Sequence, residues 1–531
     1  MNKQRQLANR PNMLQHVSRL RRRIASGGAI IALLLILAAC ERPDPNQVTA
    51  VVPETTALPA ITVTPDSIGL GVTAVETATP LPIYEGVPTP DPPHPTAGSG
   101  EDNVIIHSVA SGETLGYIAQ QYGLTLDEII AANELATADF LQVGQEIRIP
   151  DTPAQPGPNF KIIPDSELVF GPAAKGFRVR DFVTPRNSYL LQYEEDVEGQ
   201  LLSGPEIVEL TAHRFSVNPR VLLALLDYWG GWISQTEGVP VDLILSYSAD
   251  APRTLYDQLG AAANQLNWGY YGRSEANQLT FTLSDGTKIA YAAGINDGTA
   301  GVQRMLGRHT LANLTNWQKD VGPDGYTAAF NRLFGNPFAY TVEPLIPANL
   351  QQPPMQLPWQ KGETWYYSSG PHGGWAPGSA WAALDFAPPE VEIGCAPSDS
   401  WVTAVSDGIV TRSGFGAVVV DMDGDNYAGT GWAVTYMHLD NRERVPVGSL
   451  VQTGDRLGHP GCEGGFSDAD HVHLARTYNG RWIAADGPLP FDLGGWISQG
   501  AGREYDGFLT RGNVSKEACA CWEELNAIPN E

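Results

Sequence analysis

Residues 431–440 read GWAVTYMHLD, a run of β-branched and aromatic residues bounded by glycine and aspartate. Three nearby segments have the same character: SWVTAVSDGIVTRSG at 400–414, AVVVDMDG at 417–424 and GSLVQTGDRLGHPG at 448–461. Short segments of this composition, separated by Gly, Asp and Asn, are typical of antiparallel strands joined by tight turns. The sequence therefore predicts an all-β domain with an antiparallel sheet, which we place at residues 363–531.

Histidines are concentrated in this predicted β domain. Five of the ten in the chain lie there: His372, His438, His459, His471 and His473. In the segment DHVHLA, His471 and His473 are two positions apart, so on a strand both imidazoles project from the same face. Both rings can then address one metal ion and its water, and Asp385 in ALDF is available as a further ligand. His459 in GHPG is interpreted as a turn residue.

Five segments of the domain occur together in one order: LDFAPP, VTAVSDGIV, YMHLD, VPVGSLVQTGDRLGHPG and HVHLA. In these motifs and their spacing, residues 365–487 resemble the lysostaphin and β-lytic family of zinc endopeptidases. The resemblance implies that His372, Asp385 and His473 bind Zn²⁺ and leave a fourth position for water. It also implies that His438 and His471 are catalytic: one accepts the water's proton, and the other hydrogen-bonds the oxyanion. The sequence leaves these two roles open between them.

The stretch before Asp385 departs from the commonest family pattern, His-x-x-x-Asp. Trp381 stands four residues before Asp385, and a tryptophan side chain cannot bind zinc. SSGPHGGWAPGSAWAALDFAPP, residues 368–389, instead resembles the β-lytic branch, in which the histidine lies further upstream, before a glycine-rich loop. A loop rich in Gly, Pro and Ser can return His372 to the strand that carries Asp385. In the alternative, His372 only ends a turn and the domain is a binding module.

Besides Cys40, the chain has four cysteines: Cys395, Cys462, Cys519 and Cys521. An even number in an exported protein favours one or two disulfides, and four cysteines allow three pairings. We favour Cys395 with Cys462, because a bridge there could brace the rim of the site. A ring across Cys519 and Cys521 would be unusually small.

The N-terminus has the pattern of a targeting segment. Several arginines precede the apolar run AIIALLLILAAC at 29–40, which is too short to cross a bilayer comfortably. LAAC at its end resembles a bacterial lipoprotein signal, which implies cleavage before Cys40 and lipid attachment to its sulfur. The alternative is a plain secretory signal. We therefore expect residues 1–40 to be a signal peptide, and the protein to be exported and lipid-anchored on the outer face of the cytoplasmic membrane, in the cell envelope.

Residues 41–103 are rich in Pro and Thr and predict a disordered tether. Residues 104–151 then predict a strand, two helices and a strand. This small α+β unit, with SGETL at 111–115 and VGQEIRIP at its end, resembles the LysM module. The resemblance implies a βααβ fold that binds N-acetylglucosamine-containing glycans through Ser111, Gly112, Glu113, Thr114 and Leu115. The alternative is a LysM fold without glycan affinity.

Residues 161–347 predict a mostly helical domain, joined to the β domain by a linker at 348–362. FSVNPRVLLALLDYWGGW at 215–232 faintly resembles lysozyme-like transglycosylases. In that resemblance the catalytic glutamate falls on Trp229, which cannot protonate a glycosidic oxygen. We therefore expect a degenerate lysozyme-like domain that has lost glycan cleavage.

The whole chain has 531 residues and a formal net charge of −26, which predicts several domains and disfavours nucleic acid as a partner. The expected function is a zinc metalloendopeptidase that cleaves peptide stems or cross-bridges of peptidoglycan, with the LysM module holding it on the wall. One alternative is a non-catalytic peptidoglycan-binding protein or an activator of other cell-wall hydrolases. Another is a secreted protease that attacks Gly-rich proteins.

Overall fold

The computed structural model describes residues 105–109, 113–122, 124–133, 135, 141–142, 144–150, 154–241, 254–389, 394–395, 398–465, 467 and 469–531. All of them belong to one compact unit, Glu76–Glu531. The predicted signal peptide with Cys40, the predicted tether, Ser111 and Gly112 lie outside the described residues. In the described part of the chain, no helix is long and apolar enough to span a membrane.

The first described segment has the order β1 (Ile105–Ser108), α1 (Leu115–Gln121), α2 (Leu126–Asn133) and β2 (Glu146–Ile149). β1 and β2 pair antiparallel, with Ile105 opposite Ile149. α2 begins with reciprocal bonds: the Thr125 hydroxyl accepts the Glu128 N–H at 3.2 Å, and the Glu128 carboxylate accepts the Thr125 N–H at 2.7 Å. The sequence predicted this order of strand, helix, helix and strand.

The middle part is mostly helical, as its apolar spacing predicts. Its helices are α3 (Asp165–Leu168), α4 (Val179–Val183), α5 (Gly204–Phe215), α6 (Pro219–Gly230), α7 (Leu255–Ser274), α8 (Asp297–Gly307), α9 (Leu314–Asp320) and α10 (Tyr326–Phe334). Short 3-10 helices lie at Pro172–Ala174, Thr184–Arg186, Tyr189–Gln192 and Pro337–Tyr340. The start of α6 is set locally, because Asn218 accepts the Arg220 N–H and Pro219 occupies the first turn.

Five short strands in the described residues of the middle part were not predicted: β3 (Gln155–Pro156), β4 (Glu194–Val197), β5 (Gln200–Ser203), β6 (Thr280–Thr282) and β7 (Lys288–Ala290). They form a three-stranded sheet, β3-β7-β6, and a β4-β5 hairpin. Strands of two to four residues are too short to produce a clear alternating pattern, so the sequence does not reveal them.

The described residues between 364 and 529 form fifteen strands. They are β8 (Thr364–His372), β9 (Ala383–Ala387), β10 (Val402–Thr403), β11 (Gly408–Gly414), β12 (Ala417–Asp421), β13 (Trp432–Met437), β14 (Leu450–Val451), β15 (Arg456–Gly458), β16 (Val472–Tyr478), β17 (Arg481–Trp482), β18 (Asp492–Leu493), β19 (Trp496–Gly500), β20 (Gly507–Arg511), β21 (Val514–Glu517) and β22 (Ala527–Pro529). The main sheet has the order β14-β11-β12-β13-β16-β9-β8-β22, with β17 beside β16. Its pairings are antiparallel, as predicted.

The two faces of this sheet have different neighbours. On β9, Leu384 and Phe386 enter a core made within the β part, together with Val472 and Leu474 of β16. The alternate residues Ala383 and Ala475 instead join the core of the helical part. The helices therefore cover part of the face on which Asp385 and His473 also lie.

The segment predicted as a linker is packed along much of its length. Met355, Leu357 and Trp359 are buried in the β core, and Trp359 stacks on Trp365 with ring centroids 5.5 Å apart. The Gln352 side-chain amide donates to the Asp492 carbonyl at 2.6 Å. Burial of these apolar side chains is favourable, so the Pro-rich segment packs against the β part. It joins the two parts without acting as an extended spacer between them.

Candidate metal centre

Three neighbouring strands bring His372, Asp385 and His473 together. In the register of β9 and β16, Asp385 lies directly opposite His473. β8 pairs with the other edge of β9, and its register shifts twice before His372, which ends the strand opposite Ala383. Irregularities of this kind bend a strand and re-aim its side chains. They carry His372 to the face of Asp385, although twelve residues separate the two in the sequence.

The three side chains converge on one point. His372 Nε2 lies 3.0 Å from His473 Nδ1 and 3.3 Å from Asp385 Oδ1. His473 Nδ1 lies 3.2 Å from the same carboxylate oxygen. One potential ligand atom from each residue lies within 4.8 Å of the other two, and all three residues are buried. The long loop therefore does return His372 to the aspartate.

The surrounding backbone sets the protonation of the two histidines. His372 Nδ1 lies 2.8 Å from the Gly370 carbonyl, and His473 Nε2 lies 3.0 Å from the Gly374 carbonyl. A carbonyl oxygen only accepts, so each of these nitrogens carries the proton, and the converging nitrogen of each ring holds a lone pair. Such bonds orient the histidine ligands of metal sites.

This arrangement fits a zinc ion. Two lone pairs that face each other repel unless a cation or a proton lies between them. Asp385 Oδ1, pointing at the same place, is buried and accepts no hydrogen bond of good geometry from any described residue. Two imidazole nitrogens and one carboxylate oxygen are ligands that zinc takes in open, three-residue sites.

His438 and His471 lie beside these three residues. Their ring centroids are 4.5 Å apart, and the His438 ring is 6.0 Å from that of His473. His471 Nε2 lies 3.7 Å from Asp385 Oδ2. His438 Nδ1 is held by the Glu463 carbonyl at 3.0 Å, and His471 Nδ1 by the Ala469 carbonyl at 2.9 Å. Both rings therefore present Nε2 lone pairs away from their backbone anchors.

His438 differs slightly from its predicted position. It is the first residue after β13 and not part of the strand, and its φ is 61°. The Gly461 N–H donates to its carbonyl at 2.6 Å, which holds this left-handed turn in place. His459 lies after β15, where its Nδ1 bonds the Ser400 carbonyl at 2.8 Å, and it does not join the cluster.

Burial and neighbouring charges favour the metal-binding protonation states of two of the converging groups. Burial raises the pKa of Asp385, but His372 and His471 outweigh this and hold that pKa well below its usual range. Burial lowers the pKa of His473, and also that of His438, which falls to about 3. For His372, burial lowers the pKa, but Asp385 more than offsets it and the net change is upward. An ionised carboxylate and a neutral imidazole are the forms that bind a metal.

The structure adds two residues that no sequence motif indicated, Glu504 and Tyr505 between β19 and β20. The Tyr505 ring stacks on His372 with centroids 4.7 Å apart, and its N–H donates to the Pro371 carbonyl at 3.0 Å. One Glu504 carboxylate oxygen accepts the Gly373 N–H at 3.3 Å. The only signal in the sequence is that these residues lie in REYDGFLTRG, residues 503–512, which resembles part of the C-terminal extension of β-lytic enzymes.

A disulfide joins Cys395 to Cys462, the pairing that the sequence favoured, with Cα atoms 5.7 Å apart. Cys462 directly precedes Glu463, whose carbonyl holds His438, so the bridge lies at the rim of the cluster. Cys519 and Cys521 are also joined, so the pairing that would make an unusually small ring is present.

The described residues of the predicted glycan-binding stretch differ in exposure. Thr114 is exposed, and Glu113 is half-buried with a carboxylate oxygen 2.9 Å from His107 Nε2. The Leu115 side chain is 1% exposed and belongs to the small core of this segment. Leu115 can therefore contact a ligand only through its backbone.

Two parts of the chain match known families. Residues 107–150 match the LysM domain, and residues 161–349 match the N-terminal domain of LasA. The second match does not test the resemblance to lysozyme-like enzymes, which stays a prediction. None of the curated proteins compared with the chain is significantly similar to it.

Several solved structures are similar to the chain. One is the M23 metalloprotease pseudoalterin from the deep sea, with 26% identity over 32% of this chain and 96% of that chain, and a TM-score of 0.25. The catalytic domain of lysostaphin from Staphylococcus simulans has 25% identity over 24% of this chain and 89% of that one, with a TM-score of 0.17. A zinc-containing peptidase from Vibrio cholerae has 20% identity over 27% of this chain and only 41% of its own, with a TM-score of 0.20.

Proposed function

We propose that the chain is a zinc-dependent endopeptidase that cleaves peptide stems or cross-bridges of peptidoglycan. The convergence of His372, Asp385 and His473 carries this proposal. Their ligand atoms meet around one buried, unsatisfied carboxylate oxygen, with two further imidazoles alongside. A purely structural cluster of this kind would satisfy its polar atoms internally.

The ligand atoms would be His372 Nε2, Asp385 Oδ1 and His473 Nδ1. Bound there, zinc supplies a Lewis acid that polarises the scissile carbonyl and lowers the pKa of water. The Gly370 and Gly374 carbonyls hold the two imidazoles with their lone pairs inward. The chain thus orients the ligands before any substrate arrives.

The pair His438 and His471 would handle the proton and the developing negative charge. Both rings are anchored through Nδ1, so Nε2 of either can accept the proton of the attacking water and return it to the leaving amine. The other ring would lie against the oxygen of the carbonyl under attack. We assign these two roles to the pair as a unit.

The LysM match supports peptidoglycan as the partner, because the matched segment is the part of the chain that would bind the wall polymer. Tethering an enzyme to its polymer raises the effective concentration of the bonds it cuts. In the same proposal the chain is exported and held at the envelope by a lipid on Cys40, and its middle part is a degenerate lysozyme-like domain.

The test is the zinc content of the full chain and its His372→Ala variant, with release of peptides from purified peptidoglycan assayed on both. We expect about one zinc per chain in the wild type, and loss of both zinc and cleavage in the variant. The matched control is His459→Asn, whose amide can still donate to the Ser400 carbonyl and which should keep both. Equal zinc in wild type and His372→Ala, or none in either, would favour a non-catalytic wall-binding or hydrolase-activating protein.

A further inference from the structure

A cavity of about 740 Å³ lies apart from the histidine cluster, where α1, α7 and the loop between His372 and Asp385 meet. Tyr117 of α1, Trp268 of α7 and Trp381 of the loop line it. Trp381 is the residue that interrupts the His-x-x-x-Asp pattern, and here it forms part of a wall. The cavity is large enough for two or three linked sugar rings.

Within the described part of the chain, one side chain that lines the cavity has a donor without a hydrogen-bond partner. Trp268 is 7% exposed, and among the described residues nothing accepts a hydrogen bond from its buried Nε1. Tyr117 meets the Trp268 ring edge-on, with centroids 6.3 Å apart. A buried N–H without an acceptor is costly, so a polar oxygen of a ligand would be stabilised there.

The described charged residues that line the cavity are two acids and one base. Glu275 and Asp486 line it, together with Arg481, whose Nη2 lies 3.4 Å from a Glu275 carboxylate oxygen. Burial raises the pKa of both carboxyl groups, although Arg481 offsets part of the rise at Glu275. The single guanidinium is already paired, so an anionic ligand would meet net repulsion, whereas hydroxyl groups can donate to both carboxylates.

We propose that this cavity binds a neutral aminosugar segment, two or three residues of a glycan strand, as a second saccharide site beside the predicted LysM groove. The C–H face of a pyranose ring would pack on an indole, its hydroxyls would donate to the carboxylates, and an acetamide oxygen would accept from Trp268. That the sugar comes from peptidoglycan rests on the proposed function.

The position of the cavity connects the predicted glycan groove with the metal centre. Tyr117 lies two residues after Leu115, where the predicted glycan-binding stretch ends, and its hydroxyl donates to Glu504. The next residue, Tyr505, stacks its ring on His372. A glycan strand that extended from the predicted LysM groove through the cavity would pass beside the loop that ends at Asp385. A peptide attached to that strand would then lie within reach of the cluster.

The test is calorimetric titration of the zinc-loaded full chain with tri-N-acetylchitotriose. Trp381→Ala should remove one binding event per chain. Trp268→Phe, which keeps the ring and deletes the donor, should weaken that event about three- to tenfold. Trp401→Ala, which changes a half-buried tryptophan outside the cavity, is the control and should bind as the wild type does. Cleavage of a sugar-free stem peptide should be equal in all four proteins.

Unchanged titrations for both cavity variants would overturn the proposal, and so would a binding loss accompanied by loss of zinc. A stem peptide without sugar that binds in a Trp381-dependent manner would also overturn it, because the occupant would then be peptide. If the wild type fails to cleave any peptide but its chitotriose binding depends on Trp381, the endopeptidase proposal fails and the cavity proposal stands. If the wild type cleaves peptide and the cavity variants bind chitotriose normally, the endopeptidase proposal stands and the cavity proposal fails.

Discussion

Two groups of potential metal ligands lie in the same sheet and differ in how their atoms are satisfied. At the histidine cluster, Asp385 Oδ1 is buried without a good hydrogen bond, and two nitrogen lone pairs face it. In the turn between β12 and β13, Asp421, Asp423 and Asp425 also approach one another. There, Asp421 accepts the N–H groups of Asp423 at 3.3 Å and Asn426 at 2.9 Å.

The remaining partners of the aspartate turn complete the contrast. Asp425 pairs with Lys175 at 2.5 Å and accepts the Thr430 hydroxyl at 2.8 Å. Burial and its acidic neighbours raise the pKa of Asp421 to about 7, whereas the pKa of Asp385 is held well below its usual range. Proximity of acidic groups is thus a weak sign of a metal site, and unsatisfied atoms that share one point are a stronger one.

The largest expected effect tests the difference between the histidine cluster and the aspartate turn directly. Asp385→Ala removes the central ligand, so zinc should fall from about one per chain to below about 0.1, and peptide release should fall to background. Asp423→Ala in the turn is the matched control and should keep both. Elemental analysis and a peptide-release assay measure the two quantities. If Asp423→Ala also lost its zinc, the turn would be the metal site and our reading of the two groups would be reversed.

A smaller effect should separate the ligands from the flanking imidazoles. His471→Gln should keep zinc while turnover falls about 100- to 10,000-fold, the usual contribution of a positioned proton-transfer group. Zinc content and kcat on a defined stem peptide should be measured together. Loss of zinc in this variant would identify His471 as a ligand and would contradict its proposed role.

The smallest effect concerns the pH dependence of stability at the aspartate turn. The pKa of Asp421 is raised from 3.8 to about 7 in the folded chain, so folding favours its protonated form. Stability from this group is present below the unfolded pKa and is lost as pH rises through the folded one. Asp421→Asn should therefore reduce the fall in unfolding free energy between about pH 4 and pH 8 by about 2 kcal/mol, roughly half the full shift because solvent screens this partly accessible turn.

Denaturant unfolding across that pH range measures the effect. Asp399→Asn is the control, because its side chain is 95% exposed and the change should leave the profile unaltered. A profile for Asp421→Asn that matches the wild type would mean that the turn is solvated and does not hold a proton.

Much of the architecture could be predicted from local patterns. Alternating, turn-bounded segments indicated the antiparallel sheet, and helical spacing indicated α5 and α6. The two-residue spacing of His471 and His473 indicated that they share a face, and both do approach Asp385. The short strands of the helical part and the packing of the segment at 348–362 were missed, because neither produces a periodic signal.

The sequence by itself determined the kinds of ligand and their order along the chain, since residue type and spacing are local properties. Only the tertiary structure decided that His372 meets Asp385, because that depends on two register shifts in β8 and on the path of a ten-residue return loop, residues 373–382. It also placed Tyr505 on His372 and set Trp268 beside Tyr117, contacts between segments that are far apart in the chain. Such contacts arise from the packing of whole elements, for which no short motif codes.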